Sequence, residues 1–195
     1  MNGREQILSR IRERRLKSAV RPASYTAPKP STDLVAQFAE RARTVHAEVR
    51  MLSSKDELAG AVAELLRARN LPAIVHVPPD AEKLDLGALS IESAPPGPDD
   101  AALAIAPFAV AETGTLVYPA ANGRPASWHF RPGFEIAVLN AKDILPHLEN
   151  VLARIGTLPH TVNLVSGPSR TGDIEQTLEL GAHGPKALAI LIIRE

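Results

Sequence analysis

The sequence predicts a single α/β domain built on a mixed, largely parallel sheet with helices on both faces. Three observations carry that expectation. From about residue 31 onwards, helical stretches give way to short apolar runs bounded by Pro and Gly, the pattern of buried strands joined by crossover helices. The 195-residue chain is 45% hydrophobic but only 4% aromatic, so Leu, Ile, Val and Ala must fill the core, which suits a sheet covered by helices. A chain of this length can bury roughly 70% of the surface its unfolded form exposes, enough for a core without disulfide or metal staples.

Met1 to about Ala19 reads as a helix, with Ile7, Leu8, Ile11 and Leu16 in a narrow apolar stripe among basic residues. Pro22, Pro28 and Pro30 then impose an extended spacer that no helix can cross. Residues 1–30 are accordingly expected to form a basic arm and linker, and residues 31–195 the domain. Ser31 or Thr32 can cap a second helix carrying Leu34, Val35, Phe38, Ala42 and Val45. Ser53 or Ser54 caps a third, with Glu57 in capping-box position to Ser54, and Asn70 is placed to end it.

Beyond that point strands are predicted at Ala73–Val77, stopped by Pro78 and Pro79, and more weakly at Ala88–Glu92. Ala101–Ala111 is apolar but interrupted by Pro107, which leaves strand, turn and short helix open there. Thr115–Tyr118 and Glu135–Leu139 read as strands, and Lys142–Ile155 as an amphipathic helix. Thr161–Val165 and Ala187–Ile193 complete the sheet, the latter its most buried member.

Composition narrows the chemistry. With no cysteine, the chain cannot hold a disulfide, a zinc–thiolate site, an iron–sulfur cluster or a cysteine nucleophile. Its histidines lack metal-ligand spacing, so no metal or cofactor is expected. The Arg-rich start has no apolar signal region, and no apolar run approaches the roughly 20 residues of a membrane span, so a cytoplasmic location is expected. The 22 basic and 22 acidic residues balance, which argues against general nucleic-acid binding. Locally, however, the first segment is strongly basic, and such an arm is held only against a partner or a second copy of the chain.

Ser166-Gly167-Pro168-Ser169-Arg170-Thr171-Gly172-Asp173 follows a strand, and helix-like residues open after its glycines. A Gly-rich turn of this kind can gather free backbone amides around an anion. Ser169 and Thr171 would add hydroxyls, and Arg170 a fork for a carboxylate or phosphate. The same residues also read as a capped helix start, with Asp173 favourable in the first turn. Glu112-Thr113-Gly114-Thr115 precedes another strand. Gly114 permits a tight turn or a close approach, and Glu112 can be a base, a nucleophile or simply an acceptor for a neighbouring turn. His183 lies in a turn before the last strand, a place from which it could reach the mouth of the sheet, where open α/β folds bind ligands. His129, beside Trp128 and Arg131, could contribute to a stacking and anion-binding patch.

The S-G-P-S-R-T-G-D-I-E segment, the following H-G-P turn and the terminal apolar strand resemble the C-terminal signature of the LUD domain. Together with A-E-T-G-T-L-V from Ala111, they resemble the lactate-utilisation protein C (LutC) family in particular, over about Leu34 to Glu195. The segment Ser127–Pro132 departs from that family's pattern. The resemblance implies a fold related to the sugar-isomerase and CoA-transferase superfamily. It also implies a role in bacterial L-lactate oxidation to pyruvate beside iron–sulfur partner proteins. A small carboxylate or phosphorylated ligand would then lie in a cleft formed by Thr113, Gly114 and Thr115 with Gly167, Pro168, Ser169, Arg170, Thr171 and Asp173, and Glu112 and His183 are the catalytic candidates. Two alternatives stand beside it: a stand-alone acyl or CoA transferase using Glu112, and a ligand-sensing module whose basic arm binds a partner.

Limited proteolysis of dilute protein is expected to cut first between Lys17 and Lys29. Removing the arm should lower thermal stability little, unless the arm mediates dimerisation. Unfolding of the truncated protein at every concentration would place the first helix in the core.

Overall fold

The apolar run Ala187–Ile193 forms the strand around which the rest is arranged. In the computed structural model, which describes residues 3–14, 26, 28–171, 179–181 and 184–194, this strand lies in a six-stranded sheet. In chain order the elements are α1 (Gly3–Arg14), α2 (Leu34–Thr44), β1 (Glu48–Leu52), α3 (Leu58–Ala68), β2 (Ile74–His76), β3 (Ser90–Glu92), β4 (Ala101–Ala106), β5 (Phe108–Val110), β6 (Thr115–Pro119), α4 (Ser127–Phe130), β7 (Phe134–Asn140), β8 (Ile144–Leu145), α5 (Leu148–Ile155), β9 (Val162–Val165), β10 (Arg170–Thr171), β11 (Glu179–Leu180) and β12 (Ala187–Ile193). The main sheet has the order β1-β12-β7-β4-β2-β3 and is parallel throughout. Strands buried on both faces read as continuous apolar runs, which explains why Ala187–Ile193 stood out.

Parallel neighbours need long crossovers, and here two crossovers carry strands of their own. The β4-to-β7 connection supplies β5 and β6, and the β7-to-β12 connection supplies β8 and β9. Together they make a second, four-stranded sheet in the order β8-β5-β6-β9. This sheet and α2 cover one face of the main sheet, with Phe38, Ala42, Leu116 and Tyr118 packed on Ala104, Ala106, Ala137 and Ile190. The alanines of the main sheet let these larger side chains come close. Helix α3 covers the other face through Leu58, Val62, Leu65 and Leu66. Helix α5 closes the outer side of the small sheet, with Val151 against Val110 and Val117. Helices therefore flank the main sheet on both faces, as expected, with the small sheet as an added layer. Among the described residues no helix is long and apolar enough to cross a membrane.

Three local expectations are corrected. Strand β1 was not foreseen; its alternating Glu48, Arg50 and apolar residues lie on a sheet edge. The predicted helix Lys142–Ile155 starts only at Leu148, because Pro146 has no amide to donate and forces Leu145 into extended backbone, so Ile144-Leu145 becomes β8 beside β5. The cap of α2 is Asp33, whose Oδ1 accepts from Ala36 N at 2.9 Å, while Ser31 bonds Asp33. Arg170–Thr171 forms β10, antiparallel to β11, and the helix expected to open after the glycines lies outside the described residues. Asn70 does end α3, in left-handed backbone with φ 53°, and Pro107 separates β4 from β5.

Replacing Asp33 with Ala should lower stability by about 1 kcal/mol, and Thr32→Ala should leave it nearly unchanged. Denaturant titration of both variants distinguishes the two capping assignments.

Candidate functional site

The two motifs lie on different crossovers, and the pairing of β6 with β9 brings them together. Leu116 lies opposite Val165, which sets Thr115 beside Ser166. Their hydroxyls are 2.7 Å apart, and Thr113 Oγ1 continues the chain at 2.7 Å from Thr115 Oγ1. Both motif glycines face the end of α2. A side chain at Gly114 (φ 67°) would collide with the backbone of Arg41 and Ala42, and one at Gly167 (φ 76°) with the carbonyl of Val45. Their lack of a side chain is thus needed for packing. The carbonyl end of a helix also repels anions, which weakens Gly167 as part of an anion cradle.

The S-G-P-S turn is tied to the turn before β12. Ser169 N donates to the Pro185 carbonyl at 2.8 Å, and Gly181 N donates to Ser169 O at 3.1 Å. Pro168 has no amide hydrogen and that of Ser169 is engaged, so an anion here must rely on side chains more than on backbone amides. A pocket of about 300 Å³ remains between these turns and α4, lined by His129, Phe130, Leu164, Ser166, Gly167, Pro168, Ser169, Arg170, Gly184 and Pro185. Its volume is at the lower end of the range for small-molecule sites. Because Pro185 leads into β12 and Phe130 towards β7, the pocket opens at the amino edge of the main sheet. Ligands of open α/β sheets usually bind at the carboxyl edge, where the turn carrying His183 was expected to reach. His183, Gly172 and Asp173 lie outside the described residues, as does the side chain of Thr171.

Behind the pocket wall is a group that sequence reasoning passed over. Glu135 is completely buried. Its Oε1 accepts from Tyr118 Oη at 3.2 Å and lies 3.0 Å from His129 Nδ1, and the imidazole stacks on the Tyr118 ring with centroids 3.7 Å apart. Burial, reinforced by the Glu135 charge, pushes the Tyr118 hydroxyl well above the usual phenol range, so it remains a donor. The available signal was a lone carboxylate inside the apolar run F-E-I-A-V-L, since an unpaired charge there would be very costly. A second concavity, of about 350 Å³, is walled by Glu92, Asp99 and Asp100, a poor setting for an anion. Among the described residues no group of His, Asp and Glu is arranged to hold a metal ion.

Glu112 stands elsewhere. Its Oε2 is 2.9 Å from His147 Nδ1, and His147 Nε2 is 3.0 Å from the Pro28 carbonyl. Both ring nitrogens thus face acceptors, an arrangement only the imidazolium satisfies fully. The hydrogen bond to Glu112 raises the His147 pKa; partial burial opposes it, while the Glu112 charge and the Pro28 carbonyl add to it. The pair also ties the end of the Pro-rich spacer to the domain, a contact that no local pattern encodes.

These features define an α/β protein with a small polar pocket between two interlocked crossovers, and the comparisons agree on the class. Residues 99–193 match the family model of the LUD domain, so this part of the chain is similar to LUD-domain proteins. Lactate utilization protein C of Geobacillus thermodenitrificans is 25% identical over 193 residues, covering 84% of this chain and 79% of that protein. Lactate utilization protein C of Halalkalibacterium halodurans is 29% identical over 103 residues, a match spanning 49% of this chain and 45% of the relative. A DUF162 family protein from Deinococcus radiodurans has the same fold, with a TM-score of 0.61 at 20% identity, covering 85% of this chain and 99% of that one.

The His147 contacts have a pH signature. A histidine whose folded pKa is raised contributes stability that is fully present below its unfolded value of about 6.5 and is lost as the pH rises through the higher folded value. Wild-type protein should therefore exceed His147→Gln in stability most clearly at about pH 6, with the advantage shrinking towards pH 9. Denaturation of both proteins across that range measures it.

Proposed function

We propose that the protein serves in bacterial lactate utilisation and binds a small carboxylate in the pocket between α4 and the S-G-P-S-R turn. The relatives named lactate utilization protein C support the role. The observation that carries the site is that Arg170, Ser166 and Ser169 line one concave surface beside His129. The guanidinium offers a two-pronged grip on a carboxylate. The E-T-G-T motif supports the site from behind through Thr115 and Ser166. Thr171 and Asp173 complete the proposed binding set.

A chain without cysteine leaves cluster chemistry to partners, so the protein would work beside iron–sulfur proteins in the cytoplasm. The acyl-transfer alternative needs Glu112 as a nucleophile, and the engagement of Glu112 by His147 favours carboxylate binding over it. A partner-binding role for the arm has its own support. Ile7 and Ile11 of α1 are 61% and 60% exposed among basic residues, an apolar stripe suited to covering by another protein.

Calorimetric titration with L-lactate and pyruvate tests the site. Arg170→Ala should weaken binding of the carboxylate at least about tenfold, the worth of a charge-assisted pair. Unchanged affinity would remove Arg170 from the site, and absence of binding to wild-type protein would overturn the reading of the pocket. Restoration of growth on lactate in a strain lacking the gene tests the role itself.

A further inference from the structure

A parallel sheet is ordinarily covered on both faces, but one end of the main sheet stays open. Strand β3 is its outermost strand, and all three of its residues are exposed. The register sets Ile74 and His76 of β2 beside Ser90 and Glu92 of β3, and His76 beside Ala102 of β4. By the two-residue alternation of strands, these share the face that the small sheet and α2 cover at Ala104 and Ala106. At β2 and β3 that cover is missing. Ile74 is 40% exposed, and with Leu71 and Pro72 it lines a concavity of about 350 Å³ that also carries Glu92, Asp99 and Asp100. The Asp99 side chain is 94% exposed, and its ion pair with Lys186 is long, at 3.9 Å.

The same chain carries a surface of the opposite kind. Ile7, Arg10, Ile11 and Arg14 fall at i, i+3, i+4 and i+7 and so form one face of α1. None of the helix is buried, and a helix of this length is marginal alone in water, so that face needs a cover. Two isoleucines between two arginines match an apolar floor with carboxylates in both character and sign. The arm leaves the domain at Pro28, whose carbonyl is held by His147 just after β8. Helix α2 touches both β8 and β1, and β1 is the opposite edge of the main sheet from β3. Docking on its own β3 edge would stretch the arm across the width of the molecule, whereas a second copy can bring its β3 edge to the arm. We propose that α1 of one chain docks on the β2–β3 concavity of a second copy, and that the exchange is reciprocal, giving a two-fold dimer. Ile7 and Ile11 then cover Leu71 and Ile74, while Arg10 and Arg14 meet Glu92 and Asp99. Reciprocity makes the second contact intramolecular, which strengthens a pair of small interfaces. This rests on the reading that another chain covers α1, and not on the carboxylate pocket.

Sedimentation of the full chain over a range of concentrations tests this. Wild-type protein should dimerise, and more weakly as salt is raised. Arg10→Glu/Arg14→Glu and Glu92→Arg/Asp99→Arg should each weaken the dimer at least about tenfold, because like charges then meet at both contacts. All four substituted residues are exposed, so both variants should fold. Mixed in equal amounts, the two variants should form a heterodimer within about threefold of wild-type affinity, since each arm then meets a surface of opposite charge. Neither variant touches the carboxylate pocket, so this reading and that one fail separately. A dimer indifferent to both variants, or a mixture that stays monomeric, would overturn the exchange. So would a wild-type chain that stays monomeric at every concentration. If α1 amides resist hydrogen exchange in such a monomer, the arm docks on its own chain; if vesicles containing phosphatidylserine capture it, α1 serves a membrane surface instead.

Discussion

The architecture depends on how closely the small sheet approaches the end of α2. Gly114 enters β6 and Gly167 leaves β9, and at both positions the space of a side chain is already taken by helix backbone, by Arg41 and Ala42 in one case and Val45 in the other. Both residues also have positive φ, where any L side chain is strained. Two demands thus coincide at each site. If either glycine gained a side chain, the small sheet would have to lift off α2, and the Tyr118–Glu135 contact between the sheets would be pulled apart with it. The motif glycines that look in sequence like a ligand cradle are in the fold the hinge points of a layer.

That difference explains what could and could not be read from the chain. Elements set by local chemistry were legible: the buried run Ala187–Ile193, the end of α3 at Asn70, the break at Pro107, and the strand–helix alternation that specifies the sheet class. Elements set by tertiary pairing were less so. Ile144-Leu145 carries helix-compatible residues, and only the neighbouring Pro146 and the open edge of β5 make it a strand. The half-polar run Glu48–Leu52 resembles neither a buried strand nor an amphipathic helix, because its charged residues are satisfied by Arg50, Glu64 and Arg69 at the sheet edge. Within the candidate site, the meeting of the two motifs follows from the β6–β9 register, which no local pattern encodes. The role of Glu112 was likewise hidden, since its partner His147 is distant in sequence and reaches it only through the β5–β8 pairing.

The position of the pocket follows from the same topology. In a parallel sheet the carboxyl edge is ordinarily open because crossovers leave it one after another and splay apart. Here the crossovers after β4 and β7 turn back on the sheet and pair with each other, so polar turns are gathered at the opposite edge. The turn before β12 then packs against the S-G-P-S-R turn through the Ser169–Pro185 and Gly181–Ser169 hydrogen bonds.

This arrangement also accounts for why a histidine in the atypical segment Ser127–Pro132 reaches the site. Helix α4 is a single turn bridging the small sheet to the amino end of β7, so His129 must lie between Tyr118 on one sheet and Glu135 on the other. Buried there, the imidazole could be neither free to rotate nor left unpaired without large cost. Glu135 removes that cost at Nδ1 alone. The ring is therefore anchored through Nδ1, while the residue itself lines the pocket together with Ser166 and Arg170. Rigid layers fix the ring, and the mutual packing of two crossovers supplies the polar surface of the pocket beside it. A site of this kind is built by the contact between sheets, and a reading confined to either motif alone would miss it.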